Sequence, residues 1–354
     1  MGGIKVLVVD DSAFMRRIIP DMLAEDPDIE IAGTAKDGKE ALKKAIELSP
    51  DVITLDVEMP GLDGLHTLGY IMSEKPTPVI MLSAYTPKGA ETTIKALQFG
   101  AVDYVCKPSG EISLDIKKVQ AELIEKIKAA KNIDITKMPF ILPSDIEPAK
   151  KENETAQKNE VMVIIATSTG GPRALTEVIP NIPRGLPASY LVVQHMSEGF
   201  TKTLAQRLNA ASLIRVKEAS QGEEIKAGTA YLAPGDFHME ISKKGADYCI
   251  SLNKKPQRLG VRPCADMTLF SAAEVFEGKI IVAVLTGMGR DATAGVEMVR
   301  MKKGRIIAQD KETSVIYGMP KSVIDRGYAD RILPLTSVAS AIASEITAAS
   351  EEAK

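Results

Sequence analysis

Short β-branched runs alternate with amphipathic stretches from Ile4 to about Lys131, the pattern of five βα units around a parallel sheet. The strands read IKVLVV, IEIAGT, DVITLD, PVIMLS and AVDYVC. The helices fall at Ser12 to Ala24, Gly38 to Leu48, Gly64 to Ser73, Pro87 to Phe99 and Ser113 to Ala130. Pro20 sits inside the first helix and predicts a kink or an early end, because proline brings no N–H to the ladder. Periodicity lapses from about Asn132 to Glu160, where three prolines precede a charged, alanine-poor run, the composition of a linker. Its apolar island, MPFILP, reads as a hinge segment packed on one domain. Alternation resumes at Val161, broken between about Gly228 and Ser251, where PGD and KKGAD signal turns between antiparallel strands. The pattern predicts an α/β protein of two domains joined by a linker. A (βα)5 domain occupies 1–131 and the linker 132–160, followed over 161–354 by a doubly wound, mostly parallel sheet with an antiparallel hairpin edge.

Composition agrees with two cores. The 354 residues exceed what one core usually serves, and 45% hydrophobic content supplies two. A net charge of -3 without a basic block argues against nucleic acid as a partner. Cys106, Cys249 and Cys264 fit neither a disulfide framework nor a zinc pattern, which points to a reducing, cytoplasmic compartment. The opening MGGIKVLVVDD reaches a charged pair too early for a secretory segment, and Val6 breaks the myristoylation pattern. No apolar run approaches the length of a membrane span, so no membrane insertion is expected. Mixed charge on the exposed helix faces makes a monomer the expectation.

Two groups of polar residues stand at the ends of apolar runs. In the first, Asp10 and Asp11 follow one strand and Asp56 ends another, concentrating negative charge in one crevice. Hard carboxylate oxygens suit Mg²⁺, which keeps waters that a phosphate can replace. Asp56 can then attack a phosphoryl group while the metal and Lys107 neutralise its oxygens and Ser83 supplies a hydroxyl. The arrangement resembles the receiver domain of two-component response regulators over about residues 3 to 125. The DD at 10 and 11, DVEMPG at 56 to 61, Ser83, and KP at 107 and 108 carry it. The resemblance implies a flavodoxin-like fold with Asp56 as phosphoacceptor and Mg²⁺ held by Asp10, Asp11, Asp56 and the Glu58 carbonyl. It further implies phosphate contacts from Lys107 and Ser83, Tyr104 as the switch aromatic, and a cis peptide at Lys107-Pro108.

In the second group, Ser168, His195 and Asp291 follow VMVIIAT, SYLVVQ and KIIVAVLTGMGR. A nucleophile, a base and an orienting acid can converge at such strand ends. His66 reads instead as an exposed helix-start residue, and His238, in the hairpin segment, is open to a structural or a substrate-side role. The glycine turn before Asp291 exposes backbone N–H groups suited to an oxyanion. STGGP also reads as a phosphate loop, but the full G-x-G-x-x-G spacing and the P-loop lysine are missing.

With the receiver placed, the second half resembles the chemotaxis-specific protein-glutamate methylesterases, the CheB family. The runs IATSTGGP at 165 to 172, VVQHMSEGFT at 192 to 201, YLAPGDFHM at 231 to 239, VRPCAD at 261 to 266, LTGMGRDA at 285 to 292 and YGMP at 317 to 320 carry it. The resemblance implies Ser168 as nucleophile, His195 as base, Asp291 as its partner, Met288 as an oxyanion N–H donor and Thr169 beside the site. It implies demethylation of glutamate γ-methyl esters on chemoreceptors, deamidation of receptor glutamines, no cofactor for the esterase, and a chemotaxis histidine kinase as phosphodonor. Ala166-Thr167 and Val261 to Cys264 depart from the family's Gly-Ala and His-Arg-Pro-Ser. A rival reading is a non-catalytic response regulator that serves as a receptor-binding adaptor.

Overall fold

The computed structural model describes residues 3–108, 116–133, 135 and 159–352. The chain divides into two compact units, Met1–Pro143 and Ser144–Lys354. Most of the expected linker, MPFILP included, lies outside the described residues.

The first unit alternates β1 (Ile4–Val9), α1 (Met15–Leu23), β2 (Ile29–Ala35), α2 (Gly38–Leu48), β3 (Val52–Asp56), α3 (Gly64–Glu74), β4 (Val79–Ser83), α4 (Pro87–Gln98), β5 (Asp103–Cys106) and α5 (Ile116–Ala130). Its five strands pair in the order β2-β1-β3-β4-β5, all parallel. The order reverses between β1 and β3, and a ligand crevice opens at the carboxyl ends of strands at such a switch point. Helix starts follow local chemistry. Asp37, Asp63 and Thr86 each accept a hydrogen bond from the N–H three residues on, and Pro87 opens α4. Pro20 does not end α1, which runs on to Leu23. The helix begins later than the pattern predicts, so Pro20 is only its sixth residue and forfeits little of the ladder.

The second unit runs β6 (Val161–Thr167), α6 (Gly171–Val178), β7 (Ala188–Gln194), α7 (Phe200–Ala211), β8 (Arg215–Glu218), β9 (Thr229–Leu232), β10 (His238–Lys244) and β11 (Asp247–Asn253). It continues with α8 (Ala265–Val275), β12 (Lys279–Val284), α9 (Thr293–Met301), β13 (Arg305–Gln309), α10 (Met319–Ile324), β14 (Arg331–Leu333) and α11 (Val338–Glu352). Seven strands form one sheet in the order β14-β13-β12-β6-β7-β9-β8, every pair parallel. All seven residues of β6 and of β7 are buried, as central parallel strands demand. Met162, Ile164 and Ala166 of β6 join one apolar cluster with α8, α9 and the β10-β11 hairpin. Helix α11 packs on β6, β12 and β13 without joining that cluster, so it covers the other face.

The expected hairpin is present, turning at KKGAD, but as a two-stranded sheet of its own. The PGD segment does not close a second hairpin, because β9 is spent on parallel pairing with β7 and β8. Met239, Ile241 and Ile250 give the hairpin an apolar face, and that face packs on α8. The chain winds outward from β6 through β7 and returns to β12 on the other flank of β6. The switch point of the second sheet is therefore the gap between β6 and β12.

Candidate active site

In the first unit the switch point gathers Asp10, Asp11 and Asp56, whose carboxylate oxygens lie within 4.8 Å of one another. Asp10 and Asp56 are buried and Asp11 is exposed. Lys107 Nζ stands 2.7 Å from Asp10 Oδ2 and 2.8 Å from Asp56 Oδ2. The first contact is ionic without hydrogen-bond geometry, so Asp10 Oδ2 is a buried oxygen with no hydrogen bond. Three close carboxylates with such a spare lone pair fit a hard divalent cation. Burial pushes the Asp56 carboxyl up to about 6 against the opposing pull of Lys107, with the Asp10 charge adding to the rise. Burial lowers the Lys107 ammonium, but the two carboxylates more than offset this and hold it above its ordinary value.

The Glu58 N–H donates to Asp56 Oδ1 at 3.2 Å. Gly64 lies so close behind Asp56 that a Cβ there would stand 2.1 Å from the Asp56 carbonyl oxygen. Ser83 is buried at the end of β4, and its Oγ accepts from Thr93 Oγ1 at 2.8 Å. Tyr104 is buried in β5, with Lys126 Nζ 5.2 Å from its ring centre. The cis peptide expected at Lys107-Pro108 is not found; Arg262-Pro263 is the one cis bond among the described residues. The intrinsic preference before proline is only about 0.5–1 kcal/mol, small enough for the surroundings to decide.

In the second unit Ser168 follows β6, His195 follows β7 and Asp291 lies in the loop after β12, so adjacent strands carry all three. His195 Nε2 lies 2.7 Å from Asp291 Oδ2. Ser168 N donates to Thr286 O at 3.0 Å and His195 N to Thr167 O at 3.1 Å, which ties the three loops together. Among the described residues Ser168 Oγ has no hydrogen bond to the imidazole, so the structure joins base and acid and places Ser168 at the end of the neighbouring strand. Apo sites commonly show such loose contacts, which tighten when substrate binds.

Asp291 is buried at the N-terminus of α8. Its Oδ1 accepts from Cys264 Sγ at 3.0 Å, Asp266 N at 2.9 Å and Ala292 N at 2.8 Å, and its Oδ2 from Ala265 N at 2.6 Å. Burial alone would raise this carboxyl, but the bonds from His195, Cys264 and Asp266 hold it far below the usual carboxylate range. Helix N-termini stabilise anions in this way. Burial and the Asp291 charge push the Cys264 thiol up, keeping it a neutral donor. Cys264, Asp266 and Asp291 also lie close enough to suggest a metal site. Their carboxylate oxygens, however, all accept N–H or S–H donors, with Asp266 taking Gly295 N and Arg258 Nε. The group is a hydrogen-bond network.

The turn from Thr286 to Arg290 is braced from behind. Gly287 N donates to Ile316 O at 3.0 Å, while Gly318 N and Met319 N donate to Gly287 O at 3.1 and 2.8 Å. Among the described residues the Met288 N–H takes part in none of these bonds. Thr169 is buried, and its carbonyl accepts from Thr286 Oγ1 at 3.0 Å. His66 is an exposed residue at the start of α3, as expected. His238 is fully buried with Nε2 3.1 Å from Pro256 O, which favours the structural reading. Sequence reasoning missed the α8 N-terminus as the cradle of Asp291; the only signal was a proline and an N-terminal aspartate in VRPCAD.

The CheB methylesterase model matches residues 163–342 and the response regulator receiver domain model residues 6–117. A protein-glutamate methylesterase/protein-glutamine glutaminase of Thermotoga maritima is 50% identical over 334 residues, which cover 94% of this chain and 95% of that one. One of the same name from Pyrococcus abyssi is 46% identical over 337 residues, 95% and 91% of the two chains. The crystal structure of the Thermotoga maritima CheB methylesterase catalytic domain superposes with a TM-score of 0.51 at 47% identity, over 54% of this chain and 99% of that one. This chain belongs to the CheB methylesterase family and carries a response regulator receiver domain ahead of its methylesterase domain.

Proposed function

We propose that this chain hydrolyses glutamate γ-methyl esters on chemoreceptors, with residues 1–131 as receiver, 132–160 as linker and 161–354 as esterase. The observation that carries the reading is the short His195–Asp291 bond at the strand end next to Ser168. Ser168 Oγ attacks the ester carbonyl as His195 takes its proton, and the Met288 N–H meets the developing oxyanion. His195 then gives that proton to the departing methoxide, releasing methanol and leaving an acyl-serine. Water, deprotonated by His195, adds to the acyl carbon and frees the glutamate carboxylate and Ser168. A glutamine side chain enters the same sequence with ammonia leaving in place of methanol. The esterase steps use only groups of the chain and water.

In the receiver, Asp56 accepts a phosphoryl group from a chemotaxis histidine kinase, with Lys107 and Ser83 on the phosphate oxygens and Tyr104 answering the change. Asp10, Asp11, Asp56 and the Glu58 carbonyl would hold Mg²⁺, which neutralises phosphoryl charge. Phosphorylation raises esterase turnover by favouring the active arrangement. The compartment is the cytoplasm and the chain acts as a monomer; no helix among the described residues is long and apolar enough to cross a membrane. Incubation with methylated receptor membranes tests the reading. Methanol should appear, and faster with a small-molecule phosphodonor, an increase that Asp56→Ala abolishes. Binding to the membranes without methanol would establish the adaptor instead.

A further inference from the structure

The ends of β6 and β7 are joined by more than the sheet ladder. Gln194, the last residue of β7, is buried and in register with Thr167, the last of β6. Its Nε2 donates to Ser168 O and to His195 O, each at 3.0 Å, and Thr167 Oγ1 donates to its Oε1. Backbone carbonyls only accept, so the amide NH₂ must face them; its oxygen then faces Thr167, whose hydroxyl must donate. This orientation satisfies all four groups at once. Space for it comes from Gly171, where a Cβ would lie 1.9 Å from Gln194 Oε1 and 2.1 Å from Thr167 Oγ1. Thr167 stands where the family resemblance leads one to expect alanine, which has no hydroxyl to offer.

We propose that Gln194 is a positioning residue, a clamp that fixes the peptide groups of Ser168 and His195 relative to each other and is itself locked by Thr167. The proposal rests on the hydrolase reading. Ser168 Oγ and the imidazole share no hydrogen bond in this structure, so the backbone sets their separation. A displacement of about 1 Å between reacting groups can cost about 10²-fold in rate. The clamp holds both backbones through one planar, buried amide.

The test is a double-mutant cycle on the full chain, reading kcat and KM for methanol release together with the thermal unfolding midpoint. Gln194→Glu puts an oxygen where both carbonyls need a donor, and kcat should fall at least ten-fold with KM changed less than two-fold. Thr167→Val should lower kcat about three-fold and Thr167→Ser should restore it. In a Gln194→Met background, Thr167→Val should add less than a two-fold further loss, since the hydroxyl then has nothing to orient. Losses that multiply, a Thr167→Ser variant as slow as Thr167→Val, or a Gln194→Glu variant that turns over like the unaltered chain would each overturn the clamp. If Gln194→Glu does not fold, the Thr167 variants and the Met background decide. An unaltered chain that releases no methanol would instead remove the hydrolase reading.

Discussion

His195 Nε2 shares Asp291 Oδ2 with the Ala265 N–H, at 2.7 and 2.6 Å. The bond from His195, with those from Cys264 and the Asp266 N–H at the α8 N-terminus, keeps the carboxylate charged against its burial. An ionised carboxylate only accepts, so Nε2 carries the hydrogen and Nδ1 is the nitrogen left to take the serine proton.

That assignment is measurable by ¹⁵N NMR of histidine-labelled protein at neutral pH. His195 should show the neutral tautomer with its hydrogen on Nε2. A resonance pattern with the hydrogen on Nδ1 would reverse the roles of the two nitrogens.

Asp291→Asn keeps the shape but turns an NH₂ group toward the helix N–H groups or the imidazole. Turnover should fall on the order of 10⁴-fold, as when the acid of a catalytic triad is replaced by its amide. Steady-state methanol release reads the effect, and a loss under ten-fold would show that Asp291 does not hold the base.

Burial gives the acidic crevice of the receiver its own pH signature. The folded Asp56 carboxyl titrates near 6 against an ordinary 3.8. Between those values the folded state holds a proton the unfolded chain has released, so stability falls as pH rises through the window and the penalty is full above it. Asp56→Asn has no such titration. In metal-free buffer its stability relative to the unaltered chain should grow from pH 4 to pH 7 by roughly 2.4 kcal/mol, since each tenfold change in proton affinity is worth about 1.4 kcal/mol. Denaturant melts at both pH values measure this, and a flat difference would mean the carboxyl is not raised.

Gly171→Ala places a methyl group inside hydrogen-bond distance of Gln194 and Thr167. The loop after β6 has to shift, which should lower stability by about 1–3 kcal/mol and slow turnover as well. Unfolding midpoints and methanol release within error of the unaltered chain would contradict the tight packing.

Much of this was legible along the chain because strand ends in parallel sheets carry the reactive groups. Asp10, Asp56 and Lys107, and likewise Ser168, His195 and Asp291, each stand at the end of an apolar run; the first three end β1, β3 and β5 of one sheet, and the second three end the neighbouring strands β6, β7 and β12 of the other. Contacts between distant segments were not legible. Asp291 is held by an N–H from a helix that starts 26 positions earlier, and nothing in local periodicity announces that meeting. The hairpin expected at PGD did not form, because pairing with β7 and β8 took β9 into the parallel sheet. Pro20 misled because the cost of a proline depends on where the helix begins. Gln194 gave no signal because buried amides look like any other polar residue until their partners are seen.

The most direct measurement is methanol release from methylated receptor membranes by the unaltered chain and by Ser168→Ala, at equal concentration and with folding confirmed. The account predicts that the substitution lowers turnover on the order of 10⁴- to 10⁶-fold. Release by Ser168→Ala at a rate near that of the unaltered chain would contradict it.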